Sequence, residues 1–197
     1  MAAGPRGDLR LYRSVHRALL PLDDRFRIPR SVRRALAGDK ANAPLGGFHL
    51  ALNHDFEAVL ADCSGRPETW ISDELRAVYR RLHGDGLAHS VEVRDRYGLA
   101  AGMIGLAIGA CWIGETMAHR RPQAGHALLV GLVRALRSGG FQLFDVQLSN
   151  PHLQRFGCFD LHDDAFRPLL ERARSRPACL RVHDGFLASE PWMAGWP

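Results

Sequence analysis

Apolar side chains recur along this chain at two periods, 3.6 and 2, and the switches between them predict its elements. Leu9, Tyr12, Val15, His16 and Leu19 repeat at helical spacing, with Arg10, Arg13 and Arg17 between them. That spacing predicts a short amphipathic helix, which Pro21 ends. Ser31 has the chemistry of an N-cap for a second short helix, closed by Gly38. Gly46-Gly47 leads into a stretch where Phe48, Leu50 and Leu52 alternate as in a half-buried strand. Ser72 caps a predicted helix whose apolar stripe is Leu75, Val78, Tyr79 and Leu82, with Asp73 and Glu74 complementing its N-terminal dipole. Gly84 ends that helix.

The second half of the chain alternates more plainly. A strand at Ser90–Val93 is followed by a break at Asp95–Gly98 and a long small-residue run ending in Cys111-Trp112-Ile113-Gly114-Glu115. Gly102, Gly105 and Gly109 each weaken a helix by about 1 kcal/mol, so the run is read as paired strands. Pro122 can open a helix at its first turn, Leu128, Leu129, Leu132, Val133 and Leu136 form its buried face, and Gly139-Gly140 end it. Phe141–Leu148 is the next strand, and a last helix covers Asp163 to Ala173. Strands interspersed with helices and hairpins predict a mixed α/β sheet with helices packed against it.

Composition narrows the function classes. The chain has 197 residues, 46% of them hydrophobic, enough for a packed core. No apolar run approaches the roughly 20 residues of a membrane-spanning helix, and the N-terminal MAAGPRGDLR lacks a secretory core, so a cytoplasmic location is expected. Cys63, Cys111, Cys158 and Cys179 stand far apart, without the close-spaced pairs of a structural zinc site, so no metal is expected. The net charge of +5 is unevenly spread: residues 1–40 hold ten basic and four acidic side chains, a net of +6, and the rest a net of −1. A basic arm on a near-neutral body suits a phosphate-bearing partner. Since 25 of the 26 basic residues are arginine, a GC-rich coding bias explains the same excess.

The candidate chemistry lies on the last long strand and just before the long helix. Period two puts Phe141, Leu143, Asp145 and Gln147 on one face, two polar groups after two apolar ones. A strand end emerging into solvent fits this pattern; so does an Asp–Gln pair lining a cleft. In the cleft, aspartate orients an amide or takes a proton, and glutamine bonds a reacting carbonyl or amine. Glu115 is either a loop carboxylate or, in the same cleft, a partner for a cationic group. Trp70, at the mouth of a capped helix, suits core packing or stacking on a base.

One cofactor loop is nearly present and does not match. GNAT acetyltransferases cradle coenzyme A in a loop reading [QR]xxGx[GA]; here Gln123 stands one residue too close to Gly125. A GNAT-like fold without that loop is the expectation.

Several strings taken together resemble one family. They are Thr69-Trp70-Ile71-Ser72, Ala77-Val78-Tyr79 through His83, Gly86-Leu87-Ala88-His89-Ser90-Val91-Glu92-Val93, Gly114-Glu115-Thr116-Met117, and Asp145-Val146-Gln147 through Asn150 to Leu153. In order and spacing they resemble the bacterial leucyl/phenylalanyl-tRNA–protein transferases. The resemblance implies a GNAT-like mixed sheet flanked by helices that takes aminoacyl-tRNA as co-substrate and needs no other cofactor. It implies transfer of Leu, Phe or Met to the N-terminal amine of an Arg- or Lys-starting protein, marking it for degradation. Asp145 and Gln147 fall on the family's catalytic pair; Glu115, Asn150, Trp70 and Met117 fall on substrate-binding positions. Ala118 stands where the family pattern has phenylalanine and His126 where it has lysine, and the family's N-terminal domain has no match in residues 1–20. The expected organisation is therefore a basic helical segment over residues 1–40 and an aminoacyltransferase domain over 41–197. Drift around Glu115 leaves open a small-molecule amine as acceptor.

Overall fold

The computed structural model describes residues 14–37, 48–65 and 69–182, together with the backbone of two short strands before them. In chain order the elements are β1 (Ala2–Ala3), β2 (Leu9–Arg10), β3 (His16–Leu20), α1 (Arg30–Ala37), β4 (His49–Leu52), α2 (Phe56–Ser64) and α3 (Asp73–Gly84). Then follow β5 (Ala88–Asp95), β6 (Gly98–Ile108), β7 (Cys111–His119), α4 (Ala124–Ser138), β8 (Leu143–Gln147), α5 (Pro151–Gln154), β9 (Phe159–His162) and α6 (Asp163–Arg174). The strands β3 to β9 form one seven-stranded sheet in the order β4-β5-β6-β7-β8-β3-β9, and β1 pairs with β2 apart from it. Within the large sheet every pairing is antiparallel except β7 with β8, which is parallel. This is the mixed α/β sheet with packed helices expected from the pattern.

Alternation along the strands sorts the core onto two faces. Ala101, Met103 and Trp112 pack with Leu128, Leu132 and Leu136 of α4 and with Val32 and Leu36 of α1. Ile104 points the other way, to Val59 and Leu60 of α2 and Leu75 and Tyr79 of α3. Further along that second face, Leu19, Cys111 and Leu143 meet Phe166 and Ala173 of α6. Two glycines of β6 are there for space: a methyl on Gly102 would lie 2.6 Å from the Val59 side chain, and one on Gly105 2.2 Å from the Trp112 ring. The small-residue run is thus a strand pair pressed closely between helices, as its glycines predicted.

The main correction concerns the N-terminal segment. No helix spans Leu9 to Leu19; Leu9–Arg10 is a strand and His16–Leu20 is another, between β8 and β9 in the sheet. Ala18, Leu19 and Leu20 are buried together, because a strand inside a sheet covered on both faces carries a continuous apolar run. Three apolar residues in sequence fit either period, so spacing alone misassigned them. The expected boundary at residue 40 is consequently no boundary of the sheet, since β3 lies before it and the partner strands after it. Phe141 also departs from its expected face: β8 starts at Leu143, and Phe141 packs on the α4 side. Pro122 precedes α4 rather than opening it, with Gln123 as the N-cap residue. Gly38 and Gly46-Gly47, expected to end α1 and to lead into β4, lie outside the described residues, as do the side chains of residues 1–13. Among the described residues, no helix is long and apolar enough to cross a membrane.

Candidate active site where β7 and β8 part

The parallel ladder of β7 and β8 runs through Cys111–Leu143 and Trp112–Phe144 and ends at Ile113–Asp145. Beyond this point each strand departs from regular geometry. On β7, the register with β6 slips between Ile104–Thr116 and Gly105–Gly114, so Glu115 has no partner opposite and forms a β-bulge. The extra residue also rephases the strand. Glu115 points to α3, while Met117 joins the core on the α4 side.

On β8, the strand stops in a tight turn. The Leu148 amide donates to the Val146 carbonyl at 2.8 Å, a γ-turn closure around Gln147, whose φ is 67°. A glutamine in the left-handed region is strained by about 1–3 kcal/mol and persists only where its surroundings hold it. They do so here: the Gln147 amide N–H donates to Asp145 Oδ1 at 2.8 Å, and the Gln147 side-chain Nε2 donates to the Gly114 carbonyl at 3.0 Å. Because a carbonyl can only accept, that bond fixes which end of the side-chain amide faces Gly114. The Gln147 side chain thus bridges the point where the two strands separate, with Oε1 as its acceptor end.

Asp145 is fully buried. Its Oδ1 holds the Gln147 amide and its Oδ2 takes Arg17, with the Nε at 3.1 Å and an Nη in a closer ion pair. Burial pushes its carboxyl above the ordinary aspartate range; Arg17 and the Gln147 N–H pull the other way. Asp145 and Arg17 line an open cavity of about 250 Å³ together with Ser14, Ile113, Asp163, Phe166 and Leu170. Neighbouring Cys111 is pushed up to about 12, first by burial and then by the Asp145 charge. A thiol so protonated is no nucleophile.

Glu115 is positioned from the opposite side. Its Oε2 accepts from the Tyr79 hydroxyl at 2.9 Å, and Tyr79 is a fully buried member of the α3 face. Burial, followed by the Glu115 charge, raises the phenol well above its ordinary value, so it stays a donor. The Ser72 cap sets the start of α3 as expected, with its hydroxyl accepting from the Leu75 amide.

The sequence-derived residues therefore divide. Asp145, Gln147 and Glu115 come together at the parting of β7 and β8. Met117 sits on the opposite sheet face, where a methyl on Gly125 at the start of α4 would lie 3.6 Å from its Cε. Trp70 packs, half-buried, against the α2–α3 core, and Asn150 caps the short α5 by accepting from the Leu153 amide at 2.9 Å. Arg17 and Tyr79 were not singled out for the site: the spacing predicted a surface helix for the first and core packing for the second. Among the described residues, no group of three or more His, Cys, Asp or Glu side chains is placed to hold a metal ion.

Fold and site together define a mixed α/β protein whose polar groups gather where a parallel strand pair opens. The family follows from its relatives. Residues 19–171 match the family model described as leucyl/phenylalanyl-tRNA protein transferase. The leucyl/phenylalanyl-tRNA–protein transferase of Synechococcus sp. (strain JA-3-3Ab) is 43% identical over 92% of this chain and 88% of its own length. That of Nostoc sp. (strain PCC 7120) is 43% identical over 86% of this chain and 85% of its own. A solved structure, L-PGS from Bacillus licheniformis, shares the fold at 13% identity and a TM-score of 0.50, over 82% of this chain and 65% of that one. The chain belongs to the leucyl/phenylalanyl-tRNA–protein transferase family and is an aminoacyltransferase.

Proposed function

We propose that this protein moves an amino acid of the Leu, Phe or Met type from aminoacyl-tRNA to the N-terminal amine of a protein beginning with Arg or Lys, in the cytoplasm. The observation that carries the site assignment is the Gln147 amide, held in a strained turn by Asp145 and by the Gly114 carbonyl. In the reaction the acceptor nitrogen attacks the ester carbonyl, the C–N bond forms, the C–O bond to the terminal ribose breaks, and the amine proton leaves with the ribose oxygen. The ester is already activated, so the enzyme supplies orientation and a path for that proton rather than a cofactor. Gln147 Oε1 is the acceptor for the amine N–H. Asp145 is a positioning residue, because both its oxygens are engaged and its side chain is buried. Glu115 offers its carboxylate to the cationic side chain of the acceptor. Trp70, Met117 and Asn150 keep the substrate-binding roles that the family resemblance implies.

The test supplies labelled Phe-tRNA or Leu-tRNA with peptides beginning in Arg or in Ala. Label on the Arg peptide alone is the expected result. Label on neither peptide but on a small amine replaces this reading with the small-molecule acceptor, which the family membership does not favour.

A further inference from the structure

Arg17 is an odd residue for its position. It stands in a strand between two other strands, is about one-fifth exposed, and directs its guanidinium at a carboxylate that is fully buried. The pairing of β3 sets this up. Leu19 lies opposite Asp145 and Ala18 opposite Gln147, with a register shift between them, while Arg17 lies opposite Leu161 of β9. Phe166 of α6 closes the other side, its ring centroid 5.6 Å from the Arg17 Cζ. Two donors on one oxygen, with an aromatic ring behind them, leave the guanidinium little freedom.

We infer that Arg17 is a positioning residue for the transfer reaction, fixing the Asp145 carboxylate so that its other oxygen holds the Gln147 backbone in the strained turn. The inference rests on the reading of Gln147 and Asp145 given above. Its chain is continuous: Arg17 to Asp145 Oδ2, Asp145 Oδ1 to the Gln147 N–H, and the Gln147 side chain to Gly114. Among the described residues, the other charged and titratable groups that face Asp145 are Cys111 of β7 and, across the cavity, Asp163 of α6, which pairs with Arg167 at 2.8 Å. Arg17 is thus the cation that opposes the effect of burial on the Asp145 carboxyl. Protonating Asp145 weakens its hold on the Gln147 amide, so the acid side of the pH profile reports the contact.

The experiment measures transfer from labelled Phe-tRNA to an Arg-starting peptide across pH for Arg17→Met, Arg17→Lys and Asp145→Asn, with thermal melts of each. Arg17→Met is expected to lower kcat about 100-fold with little change in KM for either substrate. Its acid limb should move upward by about one pH unit or more. Arg17→Lys restores the charge without two parallel N–H donors, so it should recover part of both effects. If the Met variant does not fold, the Lys variant decides alone on the same two readouts. A folded Arg17 variant with wild-type kcat and an unmoved acid limb overturns the inference, as does a loss of kcat and Tm with the acid limb in place. Full transfer by Asp145→Asn overturns the underlying site reading instead.

Discussion

Glu115 shows how a carboxylate is oriented without being buried. The bulge turns it out of the ladder, and one phenol hydroxyl from α3 fixes the direction of its oxygens. Glu115→Ala is expected to raise KM for an Arg-starting peptide at least about tenfold, since a charge-assisted contact of 1.5–3 kcal/mol is lost. Binding of Phe-tRNA should change much less. Equal loss on both substrates, measured by peptide titration and filter binding, would remove Glu115 from the acceptor side. Tyr79→Phe should give a weaker form of the same effect together with a stability loss of about 1 kcal/mol, read from urea unfolding. At this scale the sequence exposed part of the site. Asp145 and Gln147 were legible because two polar groups on one strand face need partners, and Glu115 because it follows an apolar strand. Arg17 was not legible: its partner is 128 residues away, and nothing in its own neighbourhood encodes that contact.

Elements were readable where a single signal governed them. The Ser72 cap with its acidic first turn gave α3, and the glycines among small apolar residues gave β6 and β7. The same glycines make a sharp prediction. Gly105→Ala would place a methyl 2.2 Å from the buried Trp112 ring and 2.9 Å from the Ile113 carbonyl, against a side chain and a backbone that cannot withdraw. It should cost about 1–3 kcal/mol, seen as a lower urea midpoint at unchanged slope. An unaltered midpoint would mean the β6–β7 pair is less tightly packed than described. Other elements were passed over although their signals exist. Asp55 caps α2 through the Ala58 amide at 3.0 Å, and Phe159 and Leu161 alternate inward on β9. The β3 error has a different cause. A strand covered on both faces loses the alternation that would identify it, so its place in the sheet emerges only from pairing with β8 and β9.

For the whole molecule, the sheet brings the two ends of the described chain to one place: β3 near its beginning lies against β8 and β9 near its end. This changes how the basic N-terminal excess can be tested. Removing residues 1–20 would delete a strand of the sheet and the Asp145 partner together. Removing residues 1–13 spares the seven-stranded sheet and takes out Arg6, Arg10 and Arg13. If the arm contacts RNA phosphates, this deletion lowers the slope of log K against log salt for tRNA by up to about 0.7–0.9 per arginine; an unchanged slope assigns the excess to composition alone. The central claim concerns Gln147, and one variant separates its chemistry from its structure. Glycine adopts a φ of 67° without strain, so Gln147→Gly should melt no lower than the wild-type protein while losing the amide. Measured as single-turnover transfer from labelled Phe-tRNA to an Arg-starting peptide, the folded variant should be slower by about 100-fold or more with tRNA binding retained. Transfer at the wild-type rate by that same folded variant would contradict the account.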